Sequence, residues 1–218
     1  MEEKIKLNFN DCTLSKMYKI FGIKQTWDTT YLDDWLDEQP ELTPEEILIA
    51  KHYQKRLLEN LRVWNEQELS LHFIGPILNL IDFTIPYQMN LFAQRNISAE
   101  IGNYVLQGKP YGMIASGYDD PEMPYFCFQE YKKELDNSGD PAGQVLAAMF
   151  AGHIVNAKPA MPIYGCYVIG RLWYFMVLLN NTYAISKEYS AASEDILAIV
   201  RILKSLQRKV IILSGLGN

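Results

Sequence analysis

The hydrophobic period of this chain first changes at Asp82, and that change decides which class of fold is open to it. Upstream, apolar residues recur at helical spacing. Thr43 stands as an N-cap, Pro44 takes the first helical position and Glu46 closes a capping box. From there Ile47, Leu48, Ala50, His52, Tyr53, Leu57, Leu58 and Leu61 keep a 3.6-residue period to about Arg62. Leu69, Phe73, Ile77 and Leu80 stripe a further helix over Asn65 to Leu80, with a kink expected at Gly75-Pro76. Downstream of Asp82 come short runs rich in aromatic and branched residues: Tyr87 to Phe92, Ile97 to Leu106, Tyr111 to Ser116 and Tyr125 to Tyr131. Turn signals separate them, Gly108-Lys109-Pro110 and Gly117-Tyr118-Asp119-Asp120-Pro121 among them, so they read as strands.

Asp140-Pro141 then opens an alanine-rich helix, Ala142 to Asn156. Strands follow at Ile163 to Ile169 and Trp173 to Leu179, with a short one at Thr182 to Ile185. A last helix starts near Ser193, carries Ile196, Leu197, Ile199, Val200, Leu203 and Leu206, and ends at about Arg208. Helices, a strand meander, a helix, strands and a helix predict an α/β (α+β) fold with a mixed central sheet flanked by helices. A chain of 218 residues suits one domain. Its pattern divides into a helical and irregular N-terminal segment (1–42, with short helices near Leu14–Phe21 and Tyr31–Asp37), a core (43–208) and a tail (209–218).

Composition narrows the function. With 49% hydrophobic and 21% charged residues the chain can bury a sizeable core. No apolar run approaches the length of a membrane span, and the start, MEEKIKLNFNDC, has no hydrophobic core of a secretory signal. Cys12, Cys127 and Cys166 are widely separated and odd in number, which suits neither a disulfide framework nor a zinc site. The expected compartment is the cytoplasm. A net charge of −6 argues mildly against tight, sequence-independent nucleic-acid binding but leaves room for a local basic groove. His52, His72 and His153 fall in separate helical segments without a partner at metal-ligand spacing. Tyr164, Tyr167, Trp173, Tyr174 and Phe175 alternate within strands and are expected mainly in the core. No phosphate-binding glycine motif and no G-x-S-x-G is present.

Chemistry is concentrated in YFCFQEYKKE, Tyr125 to Glu134, where a buried run turns polar at Gln129. Alternate residues of a strand share a face, so Glu130 and Lys132 project side by side at the strand end. A carboxylate offers hard oxygen to Mg²⁺, and a lysine can orient water or stabilise a developing anion. The plainer alternative is a surface salt bridge of little energetic weight.

A helix, the hairpin GKPYGMIASG, the strand YFCFQEYK and the helix GDPAGQVLAAM, taken together from Asn65 to Val168, resemble the core of the PD-(D/E)xK nuclease superfamily. The resemblance covers about half of the chain and implies a restriction-endonuclease-like α-β-β-β-α-β core. It implies metal-dependent phosphodiester hydrolysis, with Mg²⁺ or Mn²⁺ as cofactor and nucleic acid, DNA in the first place, as partner. By the same resemblance Glu130 and Lys132 form the E-x-K element and Gln144 is the glutamine of the following helix. Glu66, aligned with Leu69 and Phe73, supports Glu130 in holding the metal. Other roles stay open: Gln144 as a cap or solvent-facing residue, and Glu66 as an acid that favours a helix N-terminus. The pattern departs at Tyr111, which stands where the superfamily places a middle-strand aspartate, and a phenol is a poor Mg²⁺ ligand. It departs again at Ala148, where the glutamine-bearing branch usually carries tyrosine. The expectation is a nuclease or, alternatively, a catalytically inactive nuclease-fold binding module.

Overall fold

In a computed structural model of the chain, residues 4–135 and 139–216 are described; the expectations for residues 1–3 of the start and 217–218 of the tail lie outside them. The N-terminal segment supplies β1 (Ile5–Asn8), α1 (Leu14–Phe21), β2 (Lys24–Gln25) and α2 (Thr30–Leu36). Thr13 caps α1 by accepting the Lys16 N–H, and Gly22, at φ 70°, ends it. The Thr43–Glu46 box then starts α3 (Pro44–Asn60), with both reciprocal bonds formed, at 3.1 and 2.7 Å. A second box, Asn65 with Glu68, starts α4 (Glu66–Leu69).

The expected kink at Gly75-Pro76 is absorbed without a break. α4 widens into a π-helical turn at Ser70–Ile74 and continues as α5 (Gly75–Asn79). Pro76 has no N–H and its ring would collide with a carbonyl four residues back. In the wide turn the Gly75 N–H reaches back to Ser70 O, which carries the chain past that conflict.

The strands are β3 (Met89–Ala93), β4 (Ile97–Ile101), β5 (Tyr104–Gly108), β6 (Gly112–Ser116) and β7 (Glu122–Lys132). The single strand expected over Ile97 to Leu106 is therefore a hairpin, folded at Gly102 in the left-handed region (φ 57°). Next come α6 (Pro141–Asn156), β8 (Ile163–Ile169), β9 (Leu172–Leu179), β10 (Thr182–Ile185), β11 (Tyr189–Ser190) and α7 (Asp195–Ser214). α7 runs past Arg208 with Val210 buried, so residues 209–214 of the expected tail are helix, ended by Gly215 at φ 75°.

The larger sheet has the order β2-β10-β9-β8-β7-β6-β3, with β11 beside β9. β3, β6 and β7 meander antiparallel; β7 and β8 are parallel, joined by the crossover helix α6. The expected mixed sheet flanked by helices is what forms. A smaller sheet, β1-β5-β4, packs on the far side of α6. That sandwiching explains the alanine-rich sequence: α6 is buried almost all round, and its glycines meet their neighbours with no room for a side chain. A Cβ at Gly152 would overlap the Phe128 ring, and one at Gly143 would overlap the backbone of Thr13.

α1 packs on α6, whereas the opposite face of the larger sheet carries α2, α3, α4–α5 and α7. Phe73 of the π turn meets Trp173 edge-on, and Trp35 of α2 meets Tyr164 and Phe175. The N-terminal segment is thus part of the same buried cluster as the core, through Phe9, Met17, Ile23, Leu32 and Trp35. No helix among the described residues is long and apolar enough to cross a membrane.

Asp140 ties two helices together. Its Oδ1 accepts the Gly143 N–H and caps α6, while Oδ2 accepts the Leu14 N–H at the start of α1. Asp140→Ala is expected to cost about 2 kcal/mol, roughly 1 for each lost cap, read as a lower urea midpoint with an unchanged slope.

Candidate functional site

Phe126, Cys127 and Phe128 anchor β7 in the core without exposure. Beyond them the strand outruns one neighbour: β6 begins at Gly112, opposite Gln129, whereas pairing with β8 continues through Glu130–Tyr167, Tyr131–Val168 and Lys132–Ile169. The last residues of β7 therefore stand at an open end of the sheet. Glu130 and Lys132 share the face of Phe128, which packs on α6. Gln129 and Tyr131 share the other.

Lys132 Nζ lies 3.4 Å from Glu130 Oε1 and 3.5 Å from Glu66 Oε2. Glu66 comes from the first turn of α4, whose continuation packs on the opposite face, so two layers meet at the strand end. This is not a surface salt bridge: Glu130 is only 6% exposed and the Lys132 side chain 14%. Burial pushes the Glu130 carboxyl up to about 7; Lys132 pulls it down and Glu66 adds to the rise. Buried carboxyls raised into the neutral range are concentrated at functional sites.

Gln144 neither caps α6, which Asp140 does, nor faces solvent. Its side chain is buried against Gly139, and its Oε1 has no hydrogen-bond partner. It makes no hydrogen bond to Glu130 or Lys132 among the described residues, so ion pairs join three of the four expected site residues, and Gln144 stands apart from that network near the start of α6.

Tyr111 occupies a bend just before β6, half-buried, with its ring 5.3 Å from that of Tyr131. Tyr131 points away from Glu130, and its hydroxyl donates to Gln129 Oε1. The position where the resemblance expects an aspartate is therefore given over to an aromatic contact. Asp119 and Asp120 do not replace it: Asp120 pairs with Arg95 at the other end of β6.

Sequence reasoning missed two parts of the site. Gln129 is buried with its Nε2 unpartnered, and a Cβ at position 112 would meet its Oε1 at 2.5 Å, which explains Gly112. Glu134 clamps the β8–β9 turn, pairing with the Arg171 guanidinium and accepting the Arg171 N–H at 3.0 Å. The polar shift at Gln129 was visible in the sequence; the Glu134–Arg171 contact, across 37 residues, was not.

Among the described residues no three His, Cys, Asp or Glu side chains gather into one metal-binding group. The three histidines lie apart, and the three cysteines are free and buried. The carboxylates of Glu130 and Glu66 fit Mg²⁺ or Mn²⁺ as a partial donor set, since Mg²⁺ is commonly held by one or two carboxylates with water and substrate phosphate completing its shell. No protein-family model matches the chain, and no curated protein sequence matches it either.

Proposed function

We propose that this chain is a nuclease-fold protein that hydrolyses phosphodiester bonds, in DNA first of all, at the Glu130–Lys132 centre. The observation that carries this reading is the buried lysine shared by two carboxylates at the open end of β7. The element order supports it: α4–α5, β3, β6, β7, α6 and β8 follow α-β-β-β-α-β, with the β4–β5 hairpin inserted. A bound Mg²⁺ or Mn²⁺ would supply Lewis-acid stabilisation of the phosphoryl oxygens and a more acidic water. Glu130 and Glu66 would hold it. Lys132 would orient the attacking water and carry positive charge next to the anion that develops. Gln144 would fix the position of the substrate from the start of α6.

A second reading, a binding module without catalysis, is favoured by the Tyr111–Tyr131 contact in place of a third carboxylate. Calorimetric titration with Mg²⁺ and Mn²⁺, followed by a cleavage assay, separates the two. Binding by the parent chain, abolished by Glu130→Ala, with cleavage of DNA, upholds the nuclease. Binding only by Tyr111→Asp would establish the lapsed form, and binding by neither would end the nuclease reading. Because the cation must displace the Glu130 proton, affinity should rise as pH passes upward through about 7, by up to roughly tenfold per pH unit below that value.

A further inference from the structure

Next to the Glu130–Lys132 centre is a cleft of about 220 Å³, between the turn that follows α3 and the segment leaving β7. Arg62, Trp64, Asn65, Lys133 and Glu134 line it. Both walls are continuous with the centre, since Asn65 precedes Glu66 and Lys133 follows Lys132.

Its acceptor groups are already committed. Asn65 Oδ1 accepts the Glu68 N–H in the α4 capping box, and both Glu134 oxygens serve Arg171. Its cations are not: among the described residues neither Arg62 nor Lys133 has a carboxylate within ion-pair distance, and both are exposed. Trp64 is half-buried, its ring held 5.5 Å from that of His72. In a chain of net charge −6, a cleft lined by two cations without a carboxylate partner among the described residues, beside an indole, is a local reversal of sign. A guanidinium and an ammonium facing one small cavity match a phosphate, the first by its fork of donors and the second as a point charge.

We propose that this cleft binds a backbone phosphate of the nucleic-acid strand, next to the one presented to Lys132. Arg62 and Lys133 neutralise it and Trp64 flanks the adjoining nucleotide. The proposal rests on the nuclease-fold reading of the neighbouring centre and names the part of the substrate that this reading leaves unassigned.

The test is the salt dependence of binding to a fluorescein-labelled 20-base single-stranded oligodeoxynucleotide, by anisotropy, without divalent metal so that the strand stays intact. Each phosphate contact on a single strand contributes about 0.7 to the slope of log K against log salt. Arg62→Ala/Lys133→Ala, which gives up the one phosphate held in the cleft, should therefore lower the slope by about 0.7 and bind more weakly at every low salt concentration. Lys55→Ala/Lys158→Ala, which removes two exposed lysines elsewhere, should keep the parent slope. An unchanged slope in the cleft variant overturns the proposal. If the parent chain takes up Mg²⁺ through Glu130 but does not bind the strand, the cleft proposal falls alone. If it does neither, both readings fall. Binding with the expected slope change but without Mg²⁺ uptake upholds the cleft and leaves the non-catalytic reading of the centre.

Discussion

Glu130→Gln should make this protein more stable at pH 8 and abolish the Mg²⁺ uptake proposed for Glu130. Burial raises the Glu130 carboxyl from 4.5 to about 7 in the folded protein, so between those values the native state holds a proton that the unfolded chain has released. Stability then falls as pH rises through this window, because the charged carboxylate is worse accommodated folded than unfolded. At 1.36 kcal/mol per pH unit the full penalty above pH 7 is on the order of 3 kcal/mol. Glutamine keeps the shape and never ionises. Part of the gain is returned, because Lys132 keeps only Glu66 as its partner. The expected net result is a gain of about 1–2 kcal/mol at pH 8 that vanishes near pH 4.5, where the parent carboxyl is itself neutral. Urea unfolding of both chains at pH 4.5, 6 and 8 measures it. A loss of stability at pH 8 would show that Glu130 and Lys132 form a structural ion pair, and the functional reading of the site would go with it.

Trp35→Ala should come close to unfolding the protein. The side chain has no exposure, its ring meets Tyr164 and Phe175, and its Nε1–H donates to Ile202 O at 2.9 Å. The Trp35 carbonyl in turn accepts the Ser205 hydroxyl. Truncation leaves a cavity against the larger sheet and removes the second hydrogen bond to a carbonyl of α7. Tryptophan-to-alanine changes of this kind cost about 3–5 kcal/mol, a large part of the 5–15 kcal/mol typical of a whole domain. Trp27→Ala, at a residue 86% exposed in the same N-terminal segment, should stay within about 0.5 kcal/mol of the parent. Circular dichroism through a urea series would separate them. Equal, small effects would mean that the N-terminal segment only decorates the core.

Features set by neighbours in sequence were legible in advance. The Thr43–Glu46 box, the Asp140-Pro141 helix start and the period-2 run into Glu130 depend on side chains a few residues apart, so local chemistry decides them. The Ile97–Leu106 hairpin carries its own turn signal, Gly102-Asn103 between two strand runs, and reading the run as one strand passed over it. The continuous helix through Pro76 was hidden because proline punctuates by default, and the wide turn that accommodates it is selected by packing of Phe73 and Ile74.

The sequence by itself determined the class of fold, the helix starts and the projection of Glu130 and Lys132 on one face of one strand, since all of these follow from backbone periodicity and local capping. Only the tertiary structure decided that Glu66 meets Lys132, that Tyr111 turns to Tyr131, and that Glu134 is taken by Arg171 while Arg62 and Lys133 find no carboxylate partner among the described residues. These contacts join residues tens of positions apart. Their distances, and the burial that lifts the Glu130 carboxyl, exist only once the sheet and its helices have closed around them.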